Sequence, residues 1–153
     1  MEWRERLREM LPVMGHRNWI IVGDAAMPSM VGVETHATGE PLTTVLDEVL
    51  RQIAECGHVK ALCRLDAELD HLDDFATPGV GEFRAEIVRR LAGLQAVAVE
   101  HADLLEEVSE AAKTYAVAMF KTESRIPYTS VFIELGCGYW SEQQEAAFRE
   151  DWD

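Results

Sequence analysis

Apolar and polar positions change period several times along this chain, and each change marks an element. Residues 2–11 spread apolar side chains among charges at helical spacing and end at Pro12 and Gly15, which predicts a short amphipathic helix. NWIIVG at 18–23 is a β-branched run between polar and turn residues, the mark of a buried strand. It leads into Asp24, and Pro28 opens a stretch expected to be loop as far as Gly39. Pro41 stands where a first-turn proline belongs, and Leu42, Val45, Leu46, Val49, Leu50 and Ile53 follow at helical spacing until Gly57.

The same reading gives a strand at VKALCRL (59–65), then an acidic loop, DAELDHLDD (66–74), closed by Pro78 and Gly79. A helix is marked by Phe83, Ile87 and Leu91, a short strand by QAVAVE (95–100), and another helix by Leu104, Leu105, Val108 and Ala112 within 102–113. YAVAMFK (115–121) and TSVFIEL (129–135) are strands separated by TESRIPY, and SEQQEAAFRED is a polar surface helix. Strands apolar on both faces that alternate with helices predict an α/β fold: one three-layer domain spanning 1–153, its sheet largely parallel and covered by helices on both faces.

Composition narrows what such a domain does. The chain has 153 residues, 48% of them hydrophobic, enough for a core without metal or disulfide staples. A net charge of −14 argues against nucleic acid and anionic membrane surfaces as partners, because both draw affinity from clustered Lys and Arg. No apolar run is long enough for a membrane span, and MEWRERLREM is charged rather than signal-like, so a soluble cytoplasmic protein is expected. Cys56, Cys63 and Cys137 form no C-x-x-C pair and fit a reducing compartment as small apolar residues.

Ligands of open α/β sheets collect beyond the carboxyl ends of the strands. The positions there are Asp24, the 66–71 stretch, His101 and Thr122, with Tyr128 and Ser130 at the start of the last strand. Acids, imidazole, hydroxyls and a phenol suit a neutral polyhydroxylated ligand, whose hydroxyls both donate and accept hydrogen bonds. Each residue also has a plainer reading: His16 as a surface loop histidine, Asp24 as a turn cap, Tyr128 as a strand-edge aromatic, His101 as a solvent-facing helix start. The chain has no G-x-G-x-x-G, Walker loop, G-x-S-x-G or H-E-x-x-H, so nucleotide, serine-hydrolase and zincin chemistry find no support. The acidic stretch of Asp66, Glu68, Asp70, His71, Asp73 and Asp74 matches no calcium loop and reads as solvated; no metal is assigned to it, and Glu68 is the member placed to reach a ligand pocket.

Three blocks then give a resemblance. GHRNWIIVGDAAMP (15–28) carries Gly-His, a short polar link, an apolar strand, Asp and a nearby Pro; EHADLLEEV (100–108) has a histidine opening a helix; KTESRIPYTSVFIELG (121–136) has Thr, then Pro-Tyr, then a strand. In this order and spacing they resemble the D-ribose pyranase and L-fucose mutarotase family. The resemblance implies a cofactor-free sugar-ring isomerase working by acid–base catalysis on a free monosaccharide. His16 would be the proton donor, Tyr128 a second proton-relay or hydrogen-bonding group, and Asp24, His101, Tyr128 and Ser130 would line the sugar site. Ser130 stands where the family usually has Asn, Glu123 where Gly is usual, His36 is an added candidate, and the chain continues through Tyr139, Trp140 and Trp152. These departures bear on the sugar more than on the reaction.

If residues 16–24 run extended, eight steps at about 3.3 Å separate His16 from Asp24 by roughly 26 Å. Either the chain curls at 15–18 or neighbouring subunits complete one site; with the resemblance, which itself implies an oligomer, a homo-oligomer with sites at subunit interfaces is expected. Two alternatives remain: a non-catalytic monosaccharide-binding or regulatory protein on the same fold, and an unrelated α/β interaction protein.

Overall fold

All five residues of β1 (Trp19–Gly23) are buried, which sets this strand at the centre of the sheet with both faces covered. In the computed structural model, which describes residues 2–152, the other strands are β2 (Val33–Ala37), β3 (Val59–Asp66), β4 (Gln95–Val99), β5 (Val117–Lys121) and β6 (Val131–Cys137). They form one six-stranded sheet in the order β2-β5-β1-β6-β3-β4. The pairs β2–β5, β5–β1 and β3–β4 are parallel, whereas β6 lies antiparallel to both β1 and β3. The sheet is mostly parallel, as the alternation of elements predicts.

The helices are α1 (Trp3–Met10), α2 (Leu42–Glu55), α3 (Val80–Leu91), α4 (His101–Ala111) and α5 (Glu142–Trp152). Strand periodicity divides the core in two. Ile20 and Val22 of β1, Phe120 of β5 and Ile133 of β6 pack with Leu7, Leu46, Ile53 and Ile87 of α1, α2 and α3. Trp19 and Ile21, Met119 and Phe132 point the other way, against Leu104 and Val108 of α4. The expected three layers are present.

The differences from the sequence reading have local causes. β2 lies inside the stretch expected to be loop: VETHA has no fully buried residue and is held as an edge strand by pairing to β5 alone. The acidic stretch contains a short 3₁₀ turn, Ala67–His71, rather than open loop. Pro41 sits one place outside α2, as its N-cap. β5 starts at Val117 because Thr114 and Tyr115 donate to Ala111 O in the turn that closes α4. The polar helix α5 buries no residue, and Trp140 and Trp152 are largely exposed, so of the tryptophans only Trp3 and Trp19 act as core.

Cys63, on β3, is shut into the core, and burial pushes its thiol up to about 11, while Cys56 and Cys137 are half-buried. A folded pKa above the unfolded one means that this thiol favours the fold below the ordinary value of 9.0 and ceases to do so as pH rises towards about 11. At about pH 8 a water-soluble disulfide reagent should therefore modify Cys63 only when denaturant unfolds the chain. Rapid labelling of Cys63 in the native protein would contradict this packing.

Candidate functional site

Because β6 runs against its neighbours, its first residues emerge where β1 and β3 end. The register pairs Val131 with Val22 on one side and with Leu65 on the other, so the segment just before Val131 lies beside Asp24 and Asp66. Hydrogen bonds tie that segment to the end of β1: Thr122 N and Oγ1 donate to Gly23 O at 2.7 and 2.9 Å, and Ala25 N donates to Ser124 O at 2.7 Å. Thr129 Oγ1 donates to Ile126 O at 2.7 Å, which shapes the turn carrying Tyr128. Tyr128 itself has φ 62°, a left-handed conformation costly for a residue with a bulky side chain, and it is kept by this surrounding network.

Ser130 is fully buried behind Asp24. Asp24 N donates to Ser130 Oγ at 2.9 Å, and the same hydroxyl donates to Asp24 Oδ1. The residue expected to touch a ligand thus spends its hydroxyl on fixing Asp24, because the strand start tucks it between β1 and β6. Glu68 is used similarly: its carboxylate accepts His101 N at 3.0 and 3.2 Å, anchoring the first turn of α4, where an anion is favoured by the helix dipole.

His101 opens α4 and its ring meets that of Tyr128 edge-on, with centroids 5.5 Å apart. Its Nδ1 lies 2.9 Å from Asp66 Oδ1. Asp66 ends β3 and is 2% exposed; its other oxygen, Oδ2, has no hydrogen-bond partner among the described residues. Burial pushes the Asp66 carboxyl above the usual carboxylate range, the hydrogen bond from His101 opposes that, and the nearby charges of Glu68 and Asp24 add to the upward push. Asp24, Asp66, Glu68, His101 and Tyr128 therefore form one cluster on the carboxyl edge. Sequence reasoning assigned Asp66 to a solvated stretch, although its place at the end of an apolar run is the signal that singled out Asp24.

His16 lies elsewhere. Asn18 N donates to Gly15 O at 3.2 Å and Arg17 takes φ 74°, so His16 rides exposed on a tight turn before β1. β1 then runs straight, and its four steps alone, at about 3.3 Å each, put roughly 13 Å between the two ends. The chain does turn at 15–18, but the turn leaves His16 at the amino end of β1, beside Lys60, Gln95, Cys137 and Trp140 around a hollow of about 230 Å³. Within one chain, His16 and Asp24 occupy opposite ends of the sheet.

The remaining candidates have structural tasks. His36 stacks on Phe120 at 5.5 Å and contacts Glu34 Oε2 through Nε2 at 2.5 Å. The Arg6 guanidinium, with a smaller effect from His36, holds the Glu34 carboxyl down to about 2. Asp73 and Asp74 accept Ala76 N and Gly81 N, at 2.8 and 3.0 Å, ahead of α3. A cavity of about 590 Å³ opens beside the cluster, between the ends of β2, β5 and β1, and is lined by Ala25, Lys121, Glu123 and Arg125 among others. The cluster, rather than this larger hollow, concentrates buried acid, imidazole and phenol, and chemistry follows such groups rather than volume.

No protein-family model matches the chain, and no curated protein matches it by sequence. Solved structures do match it by shape. Bacillus subtilis RbsD complexed with D-ribose superposes with a TM-score of 0.62 and 19% identity, over 86% of this chain and 91% of that one. The Streptococcus pneumoniae fucose mutarotase in complex with L-fucose gives 0.55 and 18%, over 84% and 89%. FucU from Bifidobacterium longum gives 0.54 and 14%, over 86% and 94%. The chain has the α/β fold of these RbsD, fucose mutarotase and FucU structures, the fold that its three sequence blocks lead one to expect.

Proposed function

We propose that this protein is a sugar-ring isomerase that interconverts cyclic forms of a free monosaccharide by proton transfer, in an assembly whose sites are shared between copies. The observation that carries the reading is the convergence of Asp24, Asp66, Glu68, His101 and Tyr128 on one edge of the sheet. The fold shared with proteins solved with ribose and fucose supports the same ligand class. Opening a hemiacetal ring needs one group to protonate the ring oxygen and another to take the proton of the anomeric hydroxyl; closure reverses both. No electron changes hands, so side-chain acids and bases suffice.

In this reading Asp24, held by Ser130, binds sugar hydroxyls; His101 orients the ring and Tyr128 relays or donates a hydrogen bond. His16 of a neighbouring copy supplies the proton, which reconciles its exposed turn with its distance from Asp24. The free edge of β4 supports such an assembly: Val97 is 57% exposed, Leu94 just before the strand is also uncovered, and an apolar strand edge calls for a partner. One observation favours a non-catalytic sugar binder instead, namely that a single chain brings no His16 to the cluster.

Magnetisation-exchange NMR over free pentoses and hexoses should show exchange accelerated for at least one sugar. His16→Gln should lower that rate by about 10²- to 10⁴-fold, or roughly 3 to 5 kcal/mol of barrier, with sugar affinity changing much less. Tyr128→Phe should cost less. Near-normal exchange in folded His16→Gln protein would remove His16 from the mechanism, and binding without exchange in the native protein would select the binder.

Shared sites also predict complementation. Co-refolded His16→Gln and Asp24→Asn chains should regain exchange that neither has alone, since some interfaces then carry both native residues. No recovery in confirmed mixed assemblies, or a monomeric mass at micromolar concentration, would contradict sharing.

A further inference from the structure

Asp66 is the one buried acid of the cluster whose task the reading above leaves open. It lies at the end of β3 with its side chain 1% exposed, against 28% for His101, and Oδ1 is 2.9 Å from Nδ1 of that ring. A carboxylate accepts only, so the proton in this contact belongs to Nδ1. No residue among those described takes Nε2, and the ring is fixed from two further sides: Glu68 holds its backbone N–H, and Tyr128 packs edge-on against it. Burying a carboxylate is expensive unless a partner compensates, and here one oxygen has the imidazole while Oδ2 has none. A group kept at that cost is suited to directing its neighbour.

We propose that Asp66 is a positioning residue for His101: it holds the imidazole in the Nδ1–H tautomer and so presents Nε2 to the ligand as a hydrogen-bond acceptor and proton-accepting atom. Nε2 then takes the anomeric hydroxyl proton as the bond from the anomeric carbon to the ring oxygen breaks and that oxygen is protonated, and returns it on ring closure; the imidazolium formed in between is stabilised by the carboxylate behind it. The inference deepens the isomerase reading and rests on it for the ligand. The tautomer itself does not depend on activity.

The groups that face this pair are Asp24 from the end of β1, Glu68 from the turn after β3, and Tyr128 from the segment before β6. Of these carboxylates it is Asp66 that contacts a ring nitrogen, so removing its charge should release the tautomer. The test is long-range ¹⁵N–¹H correlation NMR on the full chain without sugar, compared across native protein, Asp66→Asn and Asp66→Glu. Native His101 should read as Nδ1–H when neutral. Asp66→Asn should shift it towards Nε2–H, and Asp66→Glu should restore Nδ1–H at least in part. On a sugar that the native protein turns over, Asp66→Asn should slow exchange by about 10²- to 10⁴-fold, with affinity changing far less.

An Nε2–H tautomer in the native protein would overturn the proposal even if Asp66→Asn failed to fold, as would an unchanged tautomer in folded Asp66→Asn. Absence of exchange with every sugar would overturn the isomerase reading and, with it, the proton-accepting role of Nε2. A native Nδ1–H tautomer lost in Asp66→Asn would still uphold the positioning of His101 by Asp66.

Discussion

The antiparallel insertion of β6 between β1 and β3 is the constraint on which the candidate site depends. In an all-parallel sheet the carboxyl ends of β1 and β3 would face only helix-bound loops. With β6 reversed, its leading turn is delivered to that edge, and Ser130, paired on both sides through Val131, cannot move without breaking two ladders. Asp24 is therefore fixed by a hydroxyl from the far end of the chain, and Tyr128 is held with φ 62° against His101. Strain in that turn is balanced by the hydrogen bonds of Thr122, Ser124 and Thr129.

Electrostatics then limits what can sit there. Three carboxyl groups, Asp24, Asp66 and Glu68, share the edge in a chain of net charge −14. Such a field repels anions, while a neutral polyol offers donors that carboxylates accept. The energetic cost of this crowding falls on Asp66, the most buried of the three, whose carboxyl is pushed up by burial and held down by His101.

Much of the fold was legible because its strands and helices keep their periods cleanly. NWIIVG and the Leu42–Ile53 pattern became β1 and α2 with boundaries moved by a residue or two. β2 was not legible: VETHA alternates weakly and owes its state to pairing with β5, a tertiary effect that no local pattern carries. At the site, Asp24, His101 and Tyr128 could be chosen as polar residues at strand and helix ends. The use of Ser130 behind Asp24 and of Glu68 at the start of α4 could not, because both depend on which atoms face inward across more than thirty residues of sequence. Asp66 was hidden by its acidic neighbours, since burial of one carboxylate among several is decided by strand length. Whether a curl at 15–18 brings His16 to Asp24 was left open by the sequence; the turn is present, yet the buried length of β1 keeps the two apart within one chain.

The central claim is that the carboxyl edge built around β6 is where a monosaccharide binds. Titrating the native protein with free D-ribose and L-fucose while following assigned backbone and side-chain resonances tests it most directly. The account predicts that the shifts of Asp24, Asp66, His101 and Tyr128 move together with one saturation curve. Saturable shifts confined to the Lys121–Arg125 cavity, or no saturable shift with any free sugar, would contradict it.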